Sequence, residues 1–156
     1  MGDNMKKLIL ILTTLLIAGC GGGGGGGGFN PNGIWEGDMF LLKNSCNFEQ
    51  PDHYTTKYDI ASDDNRTLAK ETSYSLATQS FITTAILGGV APQEKRIVVT
   101  EQTTAPCGFG KASRLVTVAM DFDGKRVEVV RERSYGPGCS NTPCSTTHIG
   151  ELTRAK

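Results

Sequence analysis

The segment from Leu115 to Arg133 constrains the fold most, because its apolar residues alternate on both sides of an Asp-Gly pair. Alternation with a period of two predicts half-buried β-strands, and Asp123-Gly124 is typical of a two-residue hairpin turn. Pairing Phe122 with Lys125 places one apolar set on a single face, namely Val116, Val118, Met120, Val127 and Val129. A shift by one residue would expose that whole set. The segment therefore predicts an antiparallel hairpin.

Similar alternation recurs along the rest of the chain from Gly33 onward. Strands are predicted over residues 54–61, 66–74 and 95–101, and further strands near 34–43 and 147–154. Residues 76–87 suit either a strand or a short helix. About seven strands at hairpin spacing, with few helix-capping signals, predict an all-β antiparallel meander. Such a meander closes as a small barrel or folds as a sandwich.

The start of the first expected strand, Gly33-Ile34-Trp35, resembles the G-x-W opening of lipocalins and avidins. In those proteins the Trp closes one end of a β-barrel. In lipocalins an Arg from a late strand stacks on that Trp, and Arg154 is the candidate for this role here. The resemblance favours the barrel over the sandwich. The alternative is that Trp35 is a strand residue buried simply because it is large.

Residues 1–19 have the organisation of an export signal. Met5-Lys6-Lys7 is a short basic region, and Leu8–Ala18 is an apolar run interrupted only by two threonines. As a helix this run would be about 16 Å long, roughly half the hydrocarbon thickness of a bilayer. The pattern therefore predicts a signal peptide rather than a membrane-spanning helix.

The end of the apolar run, Leu16-Ile17-Ala18-Gly19-Cys20, resembles the lipobox of bacterial lipoprotein precursors. The resemblance implies cleavage after Gly19, diacylglycerol on the Cys20 sulfur and acylation of the new amino terminus. Two or more acyl chains hold a protein stably at a membrane. The same resemblance implies that Gly21, in place of Asp after the cysteine, favours the outer membrane of a Gram-negative cell, with the protein facing the periplasm. The alternative is an ordinary signal peptide that leaves Cys20 as a thiol.

Eight consecutive glycines follow, and they predict a flexible tether because Gly has no side chain with which to bury apolar surface. No Lys-Ser/Thr pair and helix follow them, as a phosphate-binding loop would require. The chain is thus expected to comprise a signal peptide (1–19), a lipidated Cys20 with its tether (20–32), and a β-domain (33–156).

With Cys20 assigned to the lipid, four cysteines remain, namely Cys46, Cys107, Cys139 and Cys144, and they allow three pairings. The export signal implies an oxidising compartment, which favours disulfides. We expect a local Cys139–Cys144 bridge and a Cys46–Cys107 bridge across the sheet. Cys139 and Cys144 also form C-x4-C-x3-H with His148, but a fourth zinc ligand is missing, so no metal site is predicted.

Several function classes are disfavoured by charge and motif content. The formal net charge is zero, or −1 without residues 1–19, and the basic residues are scattered, so no nucleic-acid partner is predicted. No G-x-S-x-G motif occurs and the chain has two histidines, so neither an enzymatic activity nor a cofactor is predicted. Gly108–Ser113 departs from the phosphate-loop pattern and is expected to form a flexible loop.

The remaining interpretation is a non-enzymatic, lipid-anchored binding or structural module. One version is a barrel that holds a small apolar ligand against the Val116–Val129 apolar face. Another is a module that binds or inhibits an envelope protein through the loops at 88–96, 108–113 and 134–145. A hydrolase would instead need His53 or His148 to meet a carboxylate in a cleft.

Overall fold

The chain forms a closed, eight-stranded antiparallel β-barrel in a computed structural model that describes residues 29–47, 49–107, 110–138 and 143–156. Each strand pairs with the next and the eighth pairs with the first. The expected meander and the preference for a barrel are therefore confirmed. The strands are β1 (Gly33–Asn44), β2 (His53–Ser62), β3 (Arg66–Ser75), β4 (Ser80–Val90), β5 (Arg96–Cys107), β6 (Gly110–Asp123), β7 (Arg126–Tyr135) and β8 (Cys144–Arg154).

The strand beyond the seven that were expected is β4, which comes from the segment that suited either a strand or a short helix. Its partner β3 fixes it along its whole length, from Arg66 opposite Val90 to Ser75 opposite Ser80. On the other side, β4 and β5 share a single residue pair, Gly88 with Thr100. The barrel wall is therefore continuous except at this seam. Within the described residues no helix is long and apolar enough to cross a membrane.

The predicted apolar face of the β6–β7 hairpin forms the centre of the barrel interior. All five of its residues are at most 1% exposed, and they pack with inward-facing residues of the other strands. The alternation along β2 is also confirmed, since Thr56, Tyr58 and Ile60 are buried. These strands form because inward and outward positions alternate, so that one face of each is removed from water.

The hairpin register differs from the prediction by two residues. Phe122 pairs with Val127 and Asp123 pairs with Arg126, so the turn residues are Gly124 and Lys125. Gly124 has a φ of 60°, whereas Asp123 keeps a negative φ. A turn centred on Asp123-Gly124 would need positive φ at both positions. A shift of two preserves the parity of every residue, so the predicted faces remain correct.

One end of the barrel is closed by aromatic side chains around Trp35. Its indole Nε1 donates a hydrogen bond to the Pro31 carbonyl at 2.7 Å, and its ring makes an edge contact with Phe122. The Arg154 guanidinium lies 5.0 Å from the Trp35 ring centre. Phe29 packs on the same cluster, so the folded part of the chain includes residues before Gly33.

The disulfide pairing expected from the sequence was wrong. Cys46 is bonded to Cys144, with Cα atoms 5.1 Å apart, instead of to Cys107. The two residues meet because β8 pairs with β1 to close the barrel, and Asn44 lies opposite Thr146. Cys139 lies outside the described residues. The expected loop at 108–113 was wrong for Gly110–Ser113, which begin β6 and pair with β5, whereas residues 108 and 109 lie outside the described part of the chain.

Candidate functional site

Within the described residues, the end of the barrel opposite Trp35 is open and contains a cavity of about 410 Å³. Its walls are the first residues of β2, the last residues of β3 and the middle of β7 and β8. This volume lies in the range of sites that bind small molecules. The cavity is therefore the candidate functional site, here called the open-end cavity.

The floor of the open-end cavity is a buried ion pair between Glu71 of β3 and Arg131 of β7. Arg131 Nε lies 2.8 Å from Glu71 Oε1, and Nη2 donates a hydrogen bond to Oε2 at 3.0 Å. Both residues are at most 1% exposed. Burial acts to lower the pKa of Arg131, but Glu71 and two nearby tyrosines raise it by more, so Arg131 stays charged.

Tyr58 completes the hydrogen bonding of the Glu71 carboxylate from the closed side of the barrel. Its hydroxyl donates to Glu71 Oε1 at 3.3 Å. Burial, together with the negative charge of Glu71, holds the pKa of Tyr58 well above its ordinary value. Tyr58 therefore remains a neutral donor, and both oxygens of Glu71 have partners inside the protein.

His148 of β8 lines the cavity as a neutral imidazole. Its Nε2 lies 3.1 Å from the Pro51 carbonyl oxygen. Because a carbonyl only accepts, Nε2 carries the proton and Nδ1 is left as an acceptor. Burial lowers the pKa of His148, and the positive charges of Arg131 and Arg133 lower it further. Among the described residues Nδ1 is buried and has no hydrogen-bond partner.

Two further side chains of the cavity wall carry buried polar atoms without partners among the described residues, namely the Tyr54 hydroxyl and Arg133 Nε. The Tyr54 ring makes an edge contact with the imidazole of His148. Leaving a buried polar group unpaired costs free energy, and native proteins rarely do so without a reason. Three residues that line the cavity therefore carry such an atom, and this favours a site for a polar ligand.

A second cavity, of about 470 Å³, lies at the closed end beside Phe29 and Trp35. Its arginine, Arg154, already donates hydrogen bonds to the carbonyls of Asn30 and Asn32 at 2.9 Å each. No lining residue of this cavity has a buried unpartnered side-chain atom within the described part of the chain. Volume alone therefore does not make it the stronger candidate.

Cys20 lies outside the described residues, so its lipidation stays a prediction. Cys144 is in a disulfide, and the described residues include no group of three or more His, Cys, Asp or Glu that could hold a metal ion. Both histidines, His53 and His148, line the open-end cavity together with Glu71. The oxygens of the Glu71 carboxylate, however, already pair with Arg131 and with the Tyr58 hydroxyl.

His53 lies at the rim and contacts Asp38, with Nε2 3.4 Å from Oδ1 in an exposed pair. Sequence reasoning missed Glu71 and Arg131 as site residues, although Arg131 shares the parity of Val127 and Val129 on the predicted apolar face. The available signal was parity, because a charged residue at an inward-facing strand position requires a partner inside the barrel. The partner itself could not be identified, because Glu71 and Arg131 are 60 residues apart.

Together the fold and the site define an up-and-down β-barrel that is closed by Trp35 at one end and carries a polar cavity at the other. No family model matches this chain, and no curated protein or solved structure matches it significantly.

Proposed function

We propose that this protein is a non-enzymatic, lipid-anchored binding module of the bacterial envelope whose barrel takes a small organic molecule into the open-end cavity. The observation that carries the proposal is the wall of the cavity, where Tyr54, Arg133 and His148 each hold a buried polar atom without a partner among the described residues. A ligand group that accepts from Tyr54 and Arg133 would recover the free energy lost on burying those donors, and His148 Nδ1 could accept from a donor on the ligand.

The position of the expected tether is consistent with this function. Phe29 follows the glycines directly and packs at the closed end of the barrel, beside Phe122. A lipid on Cys20 would therefore attach the barrel to the membrane from its closed end. As a Gly-rich coil, the nine residues 20–28 would span about 16 Å. The open-end cavity would then face the periplasm and receive a ligand from solution.

The sequence also suggested that the barrel holds a small apolar ligand, which would require the apolar face of the β6–β7 hairpin to line the ligand site. That face is packed into the core, and none of its residues lines the open-end cavity. The proposal therefore places the ligand against the polar residues at the mouth of the barrel. The buried core below them supports the shape of the cavity.

Two-dimensional NMR of the full chain in phosphatidylcholine nanodiscs tests the proposal. A fragment library containing acids, amines and neutral compounds should include members that shift the signals of Tyr54, Thr84 and His148. Thr84→Phe should abolish these shifts, because Thr84 lines the cavity. Thr83→Phe is the matched control, because Thr83 is the exposed neighbour on the same strand. The proposal is wrong if no fragment shifts these signals, or if both variants bind alike.

A protein-binding function is the second candidate, and an apolar stripe on the outside of the barrel favours it. Directly paired residues of five neighbouring strands form the stripe, namely Val98, Ala119, Val130, Ile149 and Phe40. Four of them are 39–53% exposed. Contiguous exposed apolar surface is typical of interaction sites. This surface lies on the sheet, away from the loops that the sequence suggested.

A photoreactive amino acid placed at Val130 in living cells tests this second candidate. A specific protein adduct should form at Val130 and be lost when Ile149 is changed to Asp. The same label at Lys70, which is exposed on β3, is the control and should not form this adduct. No adduct at Val130, or identical adducts at both sites, would rule the stripe out as an interface.

A further inference from the structure

We infer that the ligand of the open-end cavity is an organic monoanion, a carboxylate with an apolar or aromatic body, whose charge Arg133 neutralises. This inference deepens the proposed function and rests on it. Three features of the cavity wall support it, namely the charges of the lining residues, their hydrogen bonds and the apolar groups exposed at the rim.

The charges that line the cavity do not balance. Glu71 and Arg131 neutralise each other in the buried ion pair, which leaves Arg133 as an additional cation. Arg133 Nη1 donates only weak hydrogen bonds to neutral oxygens, to Gln50 Oε1 at 3.3 Å and to the Tyr135 hydroxyl at 3.4 Å. No carboxylate of the described residues lies within ion-pairing distance of it.

A half-buried guanidinium without a counter-ion is costly, because it has lost part of its hydration and gained no charge of opposite sign. Its planar N–H groups match the two oxygens of a carboxylate. Arg133 Nε is buried without a partner, and Nη2, which lies on the same side of the guanidinium as the Nε–H, makes no hydrogen bond within the described residues, since both weak bonds come from Nη1. One carboxylate could therefore accept from the same guanidinium twice, and the Tyr54 hydroxyl lies on the same cavity wall.

A cationic ligand does not fit this wall. Glu71 is the only carboxylate among the described residues that lines the cavity, and its oxygens are occupied by Arg131 and by the Tyr58 hydroxyl. A positively charged group would therefore meet Arg133 without any free anion to oppose it. A single negative charge, in contrast, brings the sum of the lining charges to zero.

The rim of the cavity favours an organic anion over an inorganic one. Leu76, in the turn between β3 and β4, is 86% exposed, and Tyr74 beside it is 40% exposed. An inorganic anion would leave both side chains in water, whereas an apolar or aromatic body attached to the carboxylate would cover them. The arrangement therefore matches a molecule that enters with its carboxylate first and leaves its body at the rim.

Isothermal titration calorimetry with three probes of one carbon skeleton tests the inference, using the full chain in phosphatidylcholine nanodiscs. Phenylbutyrate should bind at least about tenfold more tightly than phenylbutanol, which corresponds to about 1.4 kcal/mol, and phenylbutylamine should not bind. Arg133→Gln should reduce the affinity for phenylbutyrate to that for the alcohol. Arg126→Gln is the matched control, because Arg126 lies on the same strand but is exposed and paired with Glu151; it should change nothing.

Arg133→Lys keeps the positive charge and should keep the preference for the acid over the alcohol. Comparing this variant with Arg133→Gln distinguishes an effect of the lost charge from an effect of a disturbed structure. Equal affinity for the acid and the alcohol would overturn the inference but leave the binding function intact. Absence of binding by all three probes would also overturn it, while the fragment library decides the binding function independently. An unchanged affinity for phenylbutyrate in Arg133→Gln would remove Arg133 from the site.

Discussion

Glu71 and Arg131 face each other across the interior of the barrel, from strands on opposite sides of it, and Arg131 Nε lies 2.8 Å from Glu71 Oε1. The pair separates two regions of the interior. On one side lies the apolar core that ends at Trp35, and on the other lies the open-end cavity. The stability of the barrel and the charge of the proposed site therefore depend on the same contact.

Removing one member of this pair should destabilise the protein strongly. Glu71→Ala leaves the Arg131 charge buried without a counter-ion, and we expect a loss of about 3–5 kcal/mol in the free energy of unfolding. Replacing both, as Glu71→Leu with Arg131→Met, removes the buried charge and should recover most of that loss. Urea denaturation measures both. Glu151→Ala, in the exposed pair with Arg126, should cost less than about 1 kcal/mol.

Stability should fall as the pH drops below about 7, because His148 is buried as a neutral ring. Its folded-state pKa is lowered by burial and by Arg131 and Arg133, which outweigh the opposing effects of the Pro51 carbonyl and Glu71. The unfolded chain, with a His pKa near 6.5, therefore takes up the proton first. The loss begins as the pH falls through that value and ends below the folded pKa.

Thermal unfolding between about pH 7.5 and pH 5 measures this loss, since Asp and Glu titrate mainly below that range. His148→Gln keeps a donor for the Pro51 carbonyl and should make the melting temperature less dependent on pH. His53→Gln, at the exposed rim, should retain the wild-type dependence. Equal pH dependence in wild type and His148→Gln would exclude this role of His148.

The Cys46–Cys144 bridge should contribute several kcal/mol. It links residues 98 positions apart and so restricts the unfolded chain considerably. In the chain-entropy model a loop of this length contributes about 4–5 kcal/mol. The double variant Cys46→Ser with Cys144→Ser should lose a comparable amount in chemical denaturation. Peptide mapping without reduction should recover Cys46 linked to Cys144, and recovery of Cys46 linked to Cys107 instead would disprove the pairing.

Gly150 is needed where β8 meets β1 to close the barrel. A Cβ atom there would overlap the Asp38 carbonyl oxygen and lie 2.6 Å from Met39 Sδ. Gly150→Ala should therefore force the two strands apart, at a cost of about 1–3 kcal/mol. Gly88→Ala is the matched control, since its Cβ would make an ordinary 3.9 Å contact with Leu68. Equal unfolding midpoints for the two variants would contradict this account.

The seam between β4 and β5 should open before the rest of the barrel. Beyond the Gly88–Thr100 pair, the Ile86 amide donates to the Glu101 side chain at 3.1 Å in place of a strand partner. Hydrogen exchange should therefore be faster in peptides covering residues 80–87 than in the β6–β7 hairpin. Glu101→Ala should accelerate exchange at Ile86 further, with Val118 as the unaffected internal reference. Uniform exchange across both regions would contradict the prediction.

The sequence by itself determined the class of fold and the two faces of its clearest strands. A side-chain period of two shows which residues share a face, so Val116, Val118 and Met120 could be placed in the core before any partner strand was known. Strand spacing predicted the antiparallel meander, and the resemblance of Gly33-Ile34-Trp35 to the lipocalin and avidin opening favoured the barrel over the sandwich. The signal peptide and the lipid on Cys20 remain predictions from local motifs.

Only the tertiary structure decided which residues meet. Period and parity do not change when a strand shifts by two, so the hairpin register depended on the backbone conformation of Gly124. The Cys46–Cys144 pairing followed from the closure of β8 against β1, which no local pattern encodes. Glu71 and Arg131 form a site only because the barrel brings opposite strands to a common interior, and contacts between residues so distant in the chain leave no periodic trace in the sequence.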